Sequence, residues 1–183
     1  MSNLLKSDDE YKNWIADISK RFKASQFKAA VKVNSEMLQF YWSVGRDIAN
    51  LSEKNGYGSD FYNTVSKDLK EIFPDVKSFS PTNLKYMRYF YEMYPYERNR
   101  QQLVDDFGME VIFGIPWGHH VQILGKCKGN PEKALFYVRK TLENNWSRSV
   151  LLNFLDTDLY ERQGKAVTNF KATLPQEQSD LAQ

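Results

Sequence analysis

The chain has 183 residues, a formal net charge of +2 and a pI near 8.5, with 42% apolar and 15% aromatic residues. That composition carries enough apolar mass for a core and excludes a disordered chain. The single cysteine, Cys127, excludes an internal disulfide and fits a reducing compartment. The absence of a run of about 18 apolar residues, or of a signal-peptide core, predicts a cytoplasmic protein with no membrane partner.

In chain order, Asp8 or Asp9 caps a first predicted helix, with Tyr11, Trp14, Ile15, Ile18 and Phe22 at helical spacing. A second, long helix is predicted from about Ser25 to Leu51. One seam of it holds Phe27, Val31, Asn34, Leu38, Tyr41, Gly45 and Ile48; a neighbouring seam holds Ala30, Val33, Met37, Phe40, Val44 and Leu51. Two apolar seams predict several packing partners, within the domain or across a homodimer. Asn34 on the first seam needs a partner, and Gly45 suits close approach of another helix. The glycines of Lys54-Asn55-Gly56-Tyr57-Gly58 break the helix.

The next helix begins near Ser59 or Asp60, carries Phe61, Val65, Leu69 and Ile72, and ends before Pro74. Ser80 then caps a helix that has Pro81 at its first position. Helical spacing assigns Leu84, Met87, Tyr91 and Tyr94 to the core and turns Thr82, Lys85, Tyr86 and Tyr89 outward, with Asn83 and Arg88 on the flanks. Such a face suits a helix presented to nucleic acid, and equally an ordinary solvated face. The turn from Pro74 to Phe79 is longer than that of a standard helix-turn-helix. Glu97 to Asp106 is polar, and Met109 to Ile115 reads as a short strand, such as a wing, or as a helix end.

A helix begins at Ile115-Pro116-Trp117 with Trp117, Val121 and Leu124 on one stripe, and Gly129 stops it. Asn130 and Pro131 open another, with Leu135, Val138 and Leu142 buried. After Asn144-Asn145-Trp146, Ser147 caps a further helix with Leu151, Phe154, Leu155 and Leu159. That pair is a second helix-turn-helix arrangement, with a short turn. The fold class is therefore mainly α, a multi-helix domain with one short strand allowed near 109–115. Trp14, Trp42, Trp117 and Trp146 sit at core spacing or helix starts.

Overall charge leaves the partner open, but bases cluster at Lys20–Lys32 and Lys126–Arg148. Pro74-Asp75-Val76-Lys77 and Asp68-Leu69-Lys70 superficially spell a nuclease motif, yet lack the strand pair that would converge on a metal. His119, His120 and Cys127 fall short of zinc-ligand spacing, and no phosphate loop is present. No catalytic residue, metal or cofactor is assigned.

Four stretches carry a family resemblance: Val33–Ile48 (VNSEMLQFYWSVGRDI), Tyr57–Tyr91, Ile115–His120 (IPWGHH) and Asn144–Phe170. In this order they make the chain resemble the N-terminal domain of the bacterial YhcG family, over nearly its whole length. The resemblance implies a helix-turn-helix-like DNA-binding module, residues 1–172, non-catalytic by itself, with 173–183 a linker towards a PD-(D/E)XK nuclease-type domain. The expected contacts with nucleic acid, chiefly duplex DNA, are Lys77, Thr82, Lys85, Tyr86, Arg88, Tyr89 and Arg148. The alternative is a helical module that dimerises the parent protein or docks another.

Overall fold

A computed structural model describes residues 9–55, 60–94 and 110–163. The described chain forms six α-helices: α1 (Asp9–Asn55), α2 (Phe61–Ile72), α3 (Pro81–Met93), α4 (Trp117–Cys127), α5 (Pro131–Asn144) and α6 (Arg148–Asp156). Residues 159–163 are also helical, and no strand occurs among the described residues. The expectations for Gly56 and Gly58, for the 97–106 loop and for the 173–183 linker fall outside the described residues. No helix among the described residues is long and apolar enough to cross a membrane.

The two helices expected before residue 52 are one. α1 runs 47 residues without interruption, about 70 Å at 1.5 Å per residue. No proline or glycine lies between Asp9 and Val44 to stop it. Its second half seats in the body through Leu38, Tyr41, Ile48 and Ala49. The first half projects: Trp14 is 56% and Phe22 61% exposed, so neither joins the core as its spacing suggested.

α3 lies centrally against α1, with α2 and α4 on its other sides. The approach of α1 to α3 depends on Gly45. A β-carbon there would fall 2.0 Å from the carbonyl oxygen of Met87, so only glycine fits. Asn34 finds the partner its seam position demanded, donating from Nδ2 to the Ile115 carbonyl at 3.2 Å.

The core is aromatic at its centre. Phe90 meets Trp117 at 5.4 Å, His120 at 4.6 Å and Phe113 at 6.4 Å between ring centroids. The buried stripe of α3 is Leu84, Met87, Phe90 and Met93. Sequence spacing had favoured Tyr91; instead it is half-buried, edge-on to Trp42 of α1. A similar rotation puts Ala134, Tyr137, Val138 and Thr141 inside on α5 and leaves Leu142 exposed. Leu159 lies beyond the end of α6.

The apolar run before α4 is not a strand. Ile112–Gly114 forms a 3₁₀ turn with Ile112 and Phe113 buried, packed on α1 and α5. Its apolar character reports burial, which a run this short shares between strand, turn and helix end.

Candidate nucleic-acid interface

A three-residue connection, as long as that between α4 and α5, leads to α6. α5 ends at Asn144, Asn145 takes the left-handed conformation with φ 49°, and Ser147 accepts from the Val150 N–H at 3.4 Å. Asparagine tolerates that backbone at low cost. The turn, 145–147, thus has the length of a standard helix-turn-helix connection. Two bonds fix its orientation. His119 on α4 donates from Nε2 to the Trp146 carbonyl at 2.9 Å, and Tyr137 on α5 donates to the Phe154 carbonyl at 3.1 Å.

Leu151 and Leu155 bury one face of α6. Arg148, Ser149, Val150 and Asn153 are exposed on the other. Arginine, serine and asparagine at the N-terminal turns of an exposed helix are suited to phosphates and base edges. Arg148 is among the residues expected from sequence; Ser149 and Asn153 are not. The signal that locates them is the short turn itself, set against the longer one before α3.

The α3 residues divide. Thr82, Lys85 and Tyr89 are exposed, as expected. The Lys85 ammonium lies 5.4 Å from the ring centroid of Tyr62 on α2. Arg88 is half-buried and engaged internally, with Nε 2.6 Å from Glu92 Oε1. Hydrogen bonds to Glu92 and Tyr62 hold its guanidinium above its ordinary pKa. Tyr86 is half-buried against the core, its hydroxyl beside Gly125 of α4. Tyr86 and Tyr89 line a groove of about 470 Å³ with Met93, Leu124, Lys128 and Pro131.

Trp117 links the two regions. Its indole N–H donates to Asn83 Oδ1 in the first turn of α3 at 2.8 Å. On its other side, the Arg148 side chain lies within 3.7 Å of where a β-carbon on Gly118 would sit. The opposite ends match: Lys126 of α4 pairs with Asp156 of α6 at 2.7 Å. α4 and α6 therefore point the same way, and the first turn of α3 meets the start of α4 through Asn83. Lys77 is exposed in the 3₁₀ turn Lys77–Phe79 just before α3. Asn83 Nδ2 ties that turn to the helix through the Ser78 carbonyl at 2.6 Å. Lys77, Thr82 and Arg148 thus gather at this end, where the helix dipoles add partial positive charge. Lys85 and Tyr89 follow along α3.

Other basic residues are committed. Lys133 pairs with Glu161 at 2.5 Å and Lys140 with Glu143 at 2.8 Å, so the Lys126–Arg148 cluster is largely neutralised by acids of the same region. His120 is buried and donates from Nε2 to the Ile112 carbonyl at 2.7 Å; burial pulls its pKa down to about 4. Burial pushes the Cys127 thiol up to about 11. Both histidines are thus structural ties, and among the described residues no group of three or more His, Cys, Asp or Glu converges.

Comparison with known families finds one match: the family model of the DUF1016 N-terminal domain covers residues 17–162. No curated protein and no solved structure matches the chain.

Proposed function

The chain belongs to the DUF1016 N-terminal domain family, and from that premise we propose that it is a nucleic-acid-binding module, with duplex DNA as its partner. It is non-catalytic by itself and serves a parent protein of PD-(D/E)XK nuclease type, as the YhcG resemblance implies. The observation that carries this reading is the exposed face of α6, with Arg148, Ser149 and Asn153 presented behind a three-residue turn, 145–147. The N-terminus of α3 stands beside it and adds Lys77 and Thr82.

Phosphate contacts supply most of the affinity in this reading. Arg148, Lys77 and the free backbone N–H groups of the helix N-termini meet phosphate oxygens. Asn153 and Ser149 are placed to meet base edges, where asparagine pairs best with adenine. Arg88 has a supporting role, because its charge is already matched by Glu92; Tyr86 likewise holds α3 against α4.

Fluorescence anisotropy with a labelled duplex at low salt tests the proposal. Binding is expected, with log affinity falling against log salt by about 0.9 per phosphate neutralised. Arg148→Glu combined with Lys77→Glu removes it, whereas Lys128→Glu at the far end of α4 leaves most of it. Equal loss in both variants would mean diffuse charge attraction rather than this face. Preference for single-stranded RNA over duplex would contradict the choice of partner.

A further inference from the structure

A cleft lies between α2 and the first turn of α3, and we propose that it binds a phosphate group. Asn63, Ser66, Lys67 and Lys70 stand on α2 at the spacing of one helix face. With Glu71 and Pro81 they line a cleft of about 450 Å³, within the range of small-ligand sites. Pro81 is the first residue of α3, so the cleft borders a helix N-terminus, where anions are favoured.

Ser66 points to a ligand. It is the buried residue of α2, only 3% exposed, yet its hydroxyl has no hydrogen-bond partner among the described residues. Helical serine and threonine commonly bond the carbonyl one turn back, as Thr64 Oγ1 does on the same helix, to Asp60 at 3.2 Å. Alanine would serve for packing alone, because burying an unpaired hydroxyl costs stability. A buried hydroxyl that lines a cleft and lacks an internal partner is a donor for a bound oxygen.

The charges agree. Lys67 and Lys70 make no ion pair with a described residue, whereas Lys126, Lys133 and Lys140 are all paired. Glu71 is the acid in the lining and offsets one of the two lysines. Asn63 is turned to Asp60, with Nδ2 3.2 Å from Asp60 Oδ1, and takes no part. In the first turn of α3, Ser80 accepts the Asn83 N–H at its Oγ and the Leu84 N–H at its carbonyl. Pro81 has no N–H, which leaves that of Thr82 uncommitted. A phosphate offers three or more acceptor oxygens, enough for both ammonium groups and the hydroxyl; a carboxylate offers two. The phosphate is that of a nucleic-acid backbone or of a small phosphorylated molecule, and the site does not rest on duplex binding at Arg148.

Amide NMR of the full chain, titrated with inorganic phosphate against sodium chloride at matched ionic strength, tests this. Saturable shifts are expected at Ser66, Lys67 and Thr82. Lys67→Gln with Lys70→Gln weakens binding about tenfold or more, and Ser66→Ala about fivefold, the loss of one hydrogen bond. Glu71→Gln tightens it. Lys20→Gln with Lys23→Gln, on the projecting half of α1, leaves it unchanged. Shifts no larger than in chloride overturn the proposal. So does an equal loss in the α1 variant, or an affinity indifferent to Ser66→Ala, which would make the serine a packing residue. Duplex anisotropy then identifies the source. Weaker binding by the Lys67 and Lys70 variant, with a salt slope shallower by about 0.9 per phosphate lost, assigns the site to the DNA backbone. Unchanged duplex affinity assigns it to a small phosphorylated ligand. Phosphate binding by a chain that binds no duplex would refute the duplex reading and leave this site standing.

Discussion

Gly45 marks a close approach of α1 to α3, and its consequence is steric. An alanine methyl at 2.0 Å from the Met87 carbonyl oxygen meets backbone, which cannot rotate aside. Gly45→Ala should cost about 3 kcal/mol, at the upper end for overpacking, read as a shift in the urea midpoint. An unchanged midpoint would show that α1 and α3 can separate without loss. His120 predicts a pH effect. Its folded pKa of about 4 lies below the ordinary 6.5, so between those values the unfolded chain binds the extra proton and stability falls as pH falls. The loss is complete near pH 4 and amounts to about 3 kcal/mol at 1.36 per pKa unit. His120→Leu should flatten the thermal-melting profile across that window, and an equally steep profile in the variant would assign the effect to other groups. Gly45 and Asn34 could both be read before the structure, because each is anomalous at its position on an apolar seam. The burial of His120 could not. Its neighbours in space, Phe90 and Ile112, are remote in sequence or lie in a turn without periodicity.

Among the elements, the caps were legible. Ser80, Asn130 and Ser147 each accept from the backbone N–H three residues on, as their sequence context required. The single long α1 was not expected, because the seam moves by about half a turn between Phe22 and Phe27 and so mimics a boundary. The exposed Trp14 misled for a related reason: helical spacing says which residues share a face, and nothing in one chain says what covers that face. Two helix-turn-helix arrangements were visible, and their connections differ: 145–147 is a three-residue turn, whereas the 73–80 connection holds a buried Phe79 and a 3₁₀ turn. Ser147→Ala tests the importance of the α6 cap. It should cost about 1 kcal/mol and weaken duplex binding further than stability alone accounts for, because the first turn of α6 is itself at the contact. A binding loss no greater than that of Ser80→Ala would make α3, not α6, the principal contact.

At the scale of the whole molecule, a net charge of +2 is small for a nucleic-acid binder, and Lys126 and Lys133 are spent on internal pairs with Asp156, Asp158 and Glu161. In the proposed reading, affinity arises from placement rather than total charge: Lys77, Arg148 and the N-termini of α4 and α6 lie toward one end. This arrangement was invisible in composition, because it depends on which helix ends the fold brings together.

The most direct measurement is a salt titration of duplex binding for the wild type, Arg148→Glu with Lys77→Glu, and Lys128→Glu. Saturable binding that is lost only in the Arg148 and Lys77 variant, with a shallower salt dependence as those phosphate contacts go, is the predicted result. No binding at low salt, or losses that do not distinguish the two ends of α4, would contradict the account.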